Sequence, residues 1–477
     1  MAAAIATRPA EIDCGEMTEL VRQILRRHPS VGLAFGVVGG GGLEFFHGHG
    51  LADIASRSPI TEDTVFRIAS VTKPFTAIAV MQLWEQGLID LDAPANEYLR
   101  AYRLVPARPG FRPATVRHLL THTAGIREIL HLTDVLRMRD LGETVPAGRH
   151  VPTPAEFYRG RLRIDAEPGS RLVYTNHGFT TLGQIIEDVS EMPLARYMRE
   201  RIFEPLGMPD TELGRSQRLQ SRLATAYEFR SDGPRAIPDY DLITSGAGGI
   251  YSTPRDMARF LAALLGGGRD VVRPATLAEM FAPQYQTDRR LPGMGLGFFR
   301  TEIGDHLALE HSGVLPGFDA QIFLAPDDGV AAMAFANGAA PGFMWLTPEL
   351  AVVMRRLLGA RDEALRDDLP EHPELWGDLC GRYHFATCWT DPARYVVGAG
   401  VRVSVRRGRL WMRFLSPIPA LYRGSPLHPD DDRDPYVFRI VFPLFGIGTT
   451  RVVFSQDAGR GTSALHVDFR TLSFEKR

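Results

Sequence analysis

Cysteine is nearly missing from this 477-residue chain: Cys14, Cys380 and Cys388 are all there is, an odd number with no Cys-x-x-Cys pair. Neither a disulfide framework nor a cysteine-bound zinc site fits that count. Long apolar runs are missing too, since nothing approaches the ~18–20 residues a membrane-spanning helix needs. Residues 1–11 lack the basic stretch followed by an apolar one that marks a secretory leader. Nor does charge of one sign dominate: 54 Lys plus Arg stand against 56 Asp plus Glu, a net −2. That balance offers no electrostatic footing for nucleic acid or an anionic membrane. The expectation from these absences is a cytoplasmic protein with no nucleic-acid partner, no membrane and no cofactor.

The scarcest residue is lysine. Of the 54 basic side chains only Lys73 and Lys476 are lysines, and the second falls in what reads as a frayed tail. Arginine keeps its proton in proteins, whereas a desolvated lysine gives it up and acts as a base. Keeping one internal lysine in Ser70-Val71-Thr72-Lys73 therefore marks a place where arginine will not serve. Helical spacing at Phe75, Ile78, Ala79, Leu83 and Trp84, with Pro74 tolerable only in a first turn, predicts a helix from about Ser70 to Gly87. Ser70 and Lys73 then share one face at a helix start. The positive end of the helix dipole favours a developing alkoxide on Ser70 and disfavours a charged Lys73. A hydroxyl and an adjacent neutral amine are the minimum parts of an acylating enzyme.

What surrounds the pair is globular, with 44% hydrophobic and 23% charged residues. Val31–Val38, the turn Gly39–Gly42 and Leu43–Phe46 read as a hairpin. Thr180–Val189 is amphipathic, Gly246–Gly249 reads as a loop feeding a helix at Met257–Leu265, and His306–Ser312, Ala320–Ala325 and Val330–Ala336 read as strands. The charged segment 359–377 reads as a linker. Short strands follow it, at 401–414, 436–442, 450–454 and 464–469, the pattern of a small barrel.

In order along the chain stand Phe66-Arg67-Ile68-Ala69-Ser70-Val71-Thr72-Lys73, Val116 to Gly125, Tyr174-Thr175-Asn176, Gly248 to Thr253 and His311-Ser312-Gly313. This series resembles the penicillin-recognising serine hydrolases over about residues 17–340. That group includes class C β-lactamases, penicillin-binding proteins, D-aminopeptidases and esterases. The resemblance implies an α+β fold, with an antiparallel sheet flanked by helices plus a helical subdomain. It divides the chain into an N-terminal tail (1–16), a hydrolase domain (17–358), a linker (359–377) and a lipocalin-like β-barrel (378–477).

The resemblance also assigns roles. Ser70 is the nucleophile, Lys73 and Tyr174 move protons, and Asn176, His311 and Gly313 belong to substrate binding and the proton network. The backbone N–H groups of Ser70 and Val314 form the oxyanion hole. His311 stands where the drug-resistance enzymes present a lysine, and a neutral imidazole anchors a substrate carboxylate weakly. The expectation is thus the His-x-Gly branch, acting on D-residue-containing peptides, amides or small esters. The alternative in that branch is a penicillin-binding-protein-type thioesterase that cyclises a peptide delivered by a peptidyl carrier protein. An inactive scaffold is the third reading.

Other residues go to ordinary roles. His118 and His122 have i,i+4 spacing but no glutamate between them as in His-Glu-x-x-His, and no metal is expected there. His47 and His49 read as exposed strand residues, Asp256 as a helix-start carboxylate, Asp319 as a turn residue, and Cys380 and Cys388 as buried thiols.

Overall fold

The computed structural model describes residues 12–137, 140–268, 270–339, 344–361, 364–385, 387, 390–444, 448–457 and 461–477. Its first helix, Cys14–Arg27 (α1), is capped by the Asp13 carboxylate, which accepts from Gly15 N at 2.8 Å. Gly32–Gly39 (β1) follows, buried at all eight positions as a strand covered on both faces must be. The glycine turn leads into Gly42–Asp53 (β2), and Ser58–Pro59 (β3) pairs on its far end. Phe299–Ile303 (β4), His306–Leu315 (β5), Phe318–Ala325 (β6) and Val330–Ala336 (β7) arrive much later in sequence. Together they make an antiparallel sheet in the order β4-β5-β6-β7-β1-β2-β3, so the earliest and latest strands meet at its centre.

The period-2 alternation of these strands feeds two cores. Leu33, Phe35 and Val37 point to a back layer with Met17, Val21 and Ile24 of α1 and Leu350, Val353 and Met354. Ala34, Val38, Met333 and Phe335 point to the front, where the helix that follows Ser70 lies. That helix, Thr72–Glu85 (α2), has twelve consecutive buried residues, Thr72 to Leu83. It is buried all round, which a helix can be only inside a core. Phe75 stacks on Phe260 at 3.9 Å and meets Phe203 edge-on at 5.8 Å. Phe75→Ala should therefore cost about 3–5 kcal/mol of stability, read as a lower urea midpoint at unchanged slope.

Asn176–Ser190 (α3) packs across α2, and Pro254–Leu265 (α4) carries Phe260. The expected loop at Gly246–Gly249 is in fact a helical turn, Ser245–Gly248, followed by a short strand, Ile250–Ser252. The strand forms because Tyr251 and Ser252 find partners in Arg67 and Phe66, a pairing between distant segments that local spacing cannot disclose. Gly246 sits against α3, where an added Cβ would lie 2.9 Å from the Phe179 carbonyl. Leu346–Leu357 (α5) closes the back layer.

Beyond it, the region expected as linker gains a 3₁₀ turn at Pro373–Leu375, and the helix Trp376–Leu379 follows. Leu375 and Trp376 pack on the core of the C-terminal unit. That unit is a nine-stranded antiparallel sheet built from Gly381–His384, Gly400–Arg406, Arg409–Phe414, Ser425–Pro426, His428–Pro429, Val437–Phe442, Gly448–Asp457, Gly461–Val467 and Leu472–Lys476. Residues 425–429 pair on one side with Trp411 and Met412 and on the other with Phe438 and Arg439, which nearly closes the barrel.

Several expectations are corrected here. Lys476 is not frayed: it lies in the last strand and its Nζ donates to the Asp378 carbonyl. Asp319 is the second residue of β6, paired with Val314 and Ala336, rather than a turn residue. Cys380 is half-buried rather than buried, and Cys388 lies outside the described residues. His47 is half-buried rather than exposed on β2, whereas His49 is exposed there and Asp256 is a carboxylate in the first turn of α4, both as expected. Among the described residues no helix is long and apolar enough to cross a membrane.

The barrel is tied to the N-terminal unit by hydrogen bonds. Arg290 donates to Asp288 and Asp434 at 2.8 Å each and to the Phe454 carbonyl at 2.9 Å. Burial opposes ionisation of Asp288, yet hydrogen bonds from Arg290 and Ser455 hold its carboxyl below the usual range. A second tie joins Ile129 N to the Thr390 carbonyl at 3.2 Å.

Candidate active site

Ser70 occupies a 3₁₀ turn, Ala69–Val71, that runs directly into α2. Ala69 has φ +49, a left-handed conformation that costs a non-glycine residue ~1–2 kcal/mol. Long-range bonds hold it there: Ile68 N donates to the Ile250 carbonyl and Ile250 N to Thr72 Oγ1, each at 3.1 Å. The turn presents Ser70 half-exposed while Lys73, one helical turn on, is fully buried.

Lys73 Nζ has three partners: Ser70 Oγ at 2.8 Å, Asn176 Oδ1 at 2.9 Å and the Ala247 carbonyl at 3.0 Å. Burial lowers its pKa from 10.5 to about 7, although Glu128 and Glu143 pull the other way. A lysine so placed is available as a neutral base near neutral pH. Tyr174 lies across the ammonium, with Nζ 5.0 Å from its ring centroid.

Tyr174 is held by its neighbours. The His122 carbonyl accepts from Val173 N at 2.8 Å and His122 Nδ1 from Thr175 N at 3.3 Å, while the two rings lie 4.3 Å apart. His122 is itself left-handed, at φ +55. His118 closes a capping box with Thr115, its Nδ1 accepting from Thr115 N at 3.2 Å. Both histidines thus have structural employment.

His311 and Gly313 stand two apart on β5, the strand that meets the Ser70 turn. His311 is 1% exposed, its ring 5.8 Å from that of Phe299, which in turn stacks on Tyr174 at 6.3 Å. Its Nδ1 donates to the Ser312 carbonyl at 2.8 Å, so in the neutral ring Nε2 is an acceptor. Gly313 meets the turn directly: an added Cβ would lie 2.3 Å from the Ile68 carbonyl and 3.1 Å from Ser70 N. Val314, half-buried, comes next on the same strand.

Two residues that the sequence motifs do not reveal complete the site. Glu128 and Glu143, 3% and 5% exposed, lie behind Asn176. Glu128 accepts from Asn176 N at 2.8 Å, and Glu143 from Asn176 Nδ2 at 3.1 Å and Thr244 Oγ1 at 2.8 Å. Burial raises the Glu128 pKa to about 7; burial and the neighbouring Glu128 raise that of Glu143 to about 8. Donor atoms of Glu128, Glu143 and His177 come within 4.8 Å of one another, a spacing that could hold a cation. Each is already committed within the protein, however: the ring nitrogens of His177 bond the Tyr158 hydroxyl and the Glu128 carbonyl, each at 3.0 Å. Burial takes the His177 pKa down to about 4, so it is neutral. Glu128 follows the Thr121-to-Gly125 motif and Glu143 lies in a loop, and no local pattern links them. Only a pair of glutamates in otherwise apolar or irregular surroundings could have drawn notice.

With this geometry in view, comparison with known proteins is decisive. Residues 17–350 match the family described as Beta-lactamase. The chain belongs to that family. Its relatives include esterase EstB of Burkholderia gladioli, 28% identical over 337 residues, 61% of this chain and 81% of the esterase. Among solved structures, the octameric penicillin-binding protein homologue from Pyrococcus abyssi aligns with a TM-score of 0.62 at 22% identity, over 97% of this chain and 100% of its own, and so shares the fold across both units. The D-amino acid amidase of Ochrobactrum anthropi SV3 aligns with a TM-score of 0.58 at 26% identity, over 72% of this chain and 98% of its own. The protein is a serine hydrolase of the β-lactamase-like Ser-x-x-Lys family, with a mixed α/β fold and a nearly closed C-terminal barrel.

Proposed function

We propose that the protein forms a Ser70 acyl-enzyme from amide or ester substrates, with D-residue-containing peptides and small esters as its substrate class. The observation that carries this reading is the 2.8 Å contact between Ser70 Oγ and a wholly buried Lys73 Nζ. In the mechanism, neutral Lys73 takes the hydroxyl proton as Oγ bonds to the substrate carbonyl carbon. The oxyanion is met by the N–H groups of Ser70 and Val314. Collapse breaks the bond to the leaving amine or alcohol, which receives the proton from Lys73 by way of Tyr174. Water then adds to the ester, its proton passing to the same base, and the acid departs with Oγ reprotonated.

Asn176 and His311 flank this path. A histidine at 311 gives a substrate carboxylate no permanent cation, which favours neutral esters, amides and peptides over β-lactam drugs. The likeness to the esterase and to the D-amino acid amidase supports this substrate class. The barrel reads as a lipocalin-like domain of residues 378–477 behind a hydrolase domain of 17–358.

Intact-protein mass after incubation with p-nitrophenyl esters, and with a peptidyl thioester ending in a D-residue, tests the proposal. A Ser70-dependent acyl adduct that resolves to a linear acid is the expected result. A cyclic product would instead assign aminolysis and a carrier-protein partner. No adduct with any donor would leave only a scaffold.

A further inference from the structure

A pair of buried carboxylates stands behind the candidate site, and the proton path outlined above makes no use of it. Glu128 and Glu143 come from different segments, 15 positions apart in sequence, and converge on one residue from two sides. Glu128 Oε2 takes the backbone N–H of Asn176 at 2.8 Å. Both oxygens of Glu143 face the Asn176 Nδ2, at 3.1 and 3.3 Å. A carboxylate can only accept from an amide nitrogen, so this contact decides which way the Asn176 carboxamide points. Its oxygen is thereby turned to Lys73 Nζ, 2.9 Å away.

The charges around the pair can be enumerated. From α2 comes Lys73; from α3, His177, whose Nε2 is 3.8 Å from Glu143 Oε1. Tyr158 bonds His177 from the far side, Thr244 donates to Glu143, and Asp391 of the barrel bears on Glu128. Tyr174 lies over Lys73. With His177 neutral, the only cation among these groups is Lys73. Two carboxylates so near each other in a dry site do not both ionise, and one proton is shared between them.

Resting on the acyl-enzyme reading above, we propose that Glu128 and Glu143 are positioning residues for Ser70 acylation: a carboxylic acid–carboxylate pair that clamps the Asn176 amide with its oxygen on Lys73 and supplies the single counter-charge to the Lys73 ammonium. The upward displacement of both carboxyls by burial agrees with one of them carrying a proton near neutrality. During acylation the proton leaving Ser70 goes to Lys73 Nζ, and the proton on the pair stays where it is. The pair thus sets the pH at which Lys73 becomes a base.

The test is the pH dependence of Ser70 acylation by a p-nitrophenyl ester, followed by intact mass in the wild-type protein, in Glu143→Gln, in Glu128→Gln and in the double variant. Either single glutamine leaves the other carboxyl ionised, so the counter-charge and the acid limb should stay nearly in place, whereas the double variant strips the Lys73 ammonium of its partner and should move the acid limb down by roughly one pH unit or more. Glu143→Ala, which removes the clamp as well, should also lower the alkaline plateau about tenfold or more. A folded double variant with an unmoved acid limb would overturn the proposal. The infrared carbonyl stretch of a protonated carboxylic acid, present in wild type at pH 7 beyond the contribution that Asp319→Asn removes and lost by pH 10, supplies a second readout, since burial also pushes the Asp319 carboxyl up to about 7. Its absence would also overturn the pair. A wild-type protein that shows the band but takes no acyl group would sink the hydrolase reading and spare the shared proton.

Discussion

Lys73→Arg should abolish acylation of Ser70, by ~10³-fold or more in kcat/KM, while Ser70→Ala removes the adduct altogether. The reason is not loss of charge, since arginine keeps it. Lys73 is wholly buried and within 3.0 Å of three oxygens, and it serves as a base only because burial brings its pKa down to about 7. A guanidinium in that place retains its proton at every pH a folded protein survives. The sign of the pH effect follows: the neutral amine is the active form, so wild-type acylation should rise as pH increases through about 7 and level off above it. Stopped-flow release of p-nitrophenolate checks both statements. A Lys73→Arg protein that still acylated, or a wild-type rate that fell with rising pH across that window, would contradict the assignment.

The second large effect is expected from one carbon atom. Gly313→Ala places a Cβ 2.3 Å from the Ile68 carbonyl and 3.0 Å from the Ala69 Cβ. Neither neighbour can yield. Ile68 is fixed by its bond to Ile250, and Ala69 already holds a left-handed φ. The strand must back away from the nucleophile's turn, widening the gap between the Ser70 and Val314 N–H groups. Losing one donor's worth of oxyanion stabilisation corresponds to ~10²–10³-fold in kcat. KM for a small ester should change far less, because the displacement falls on the oxyanion donors rather than on ground-state contacts. Steady-state kinetics with a thermal melt separate this from general unfolding: a variant with wild-type kcat would mean that the turn tolerates the displacement.

The legible part of this protein was chemical before it was architectural. Ser70 and Lys73 could be paired from spacing alone because both lie within one helical turn, where sequence distance and spatial distance agree. The hairpin of β1 and β2 and the strands β5 to β7 were readable for the same reason: apolar runs and glycine turns act locally. Local spacing predicts a loop at Gly246–Gly249 because the helical turn found at Ser245–Gly248 takes its shape from contact with α3 and with Thr76, whose hydroxyl donates to the Gly246 carbonyl at 2.6 Å. It predicts a turn residue at Asp319 because the strand begins one residue before it, a boundary set by pairing with Val314 and Ala336.

The sequence by itself singled out the candidate residues: one internal lysine in a chain of arginines, a serine three before it, and the Tyr174–Asn176 and His311–Gly313 elements. Covalent identity and short-range helical geometry suffice for that much. Only the tertiary structure decided that Lys73 is dry, that Asn176 turns its oxygen towards it, and that Glu128 and Glu143 stand behind both. Burial, amide orientation and the shared proton of two carboxyls depend on segments that meet only when the core closes, and a pKa is a property of that enclosure rather than of the residue.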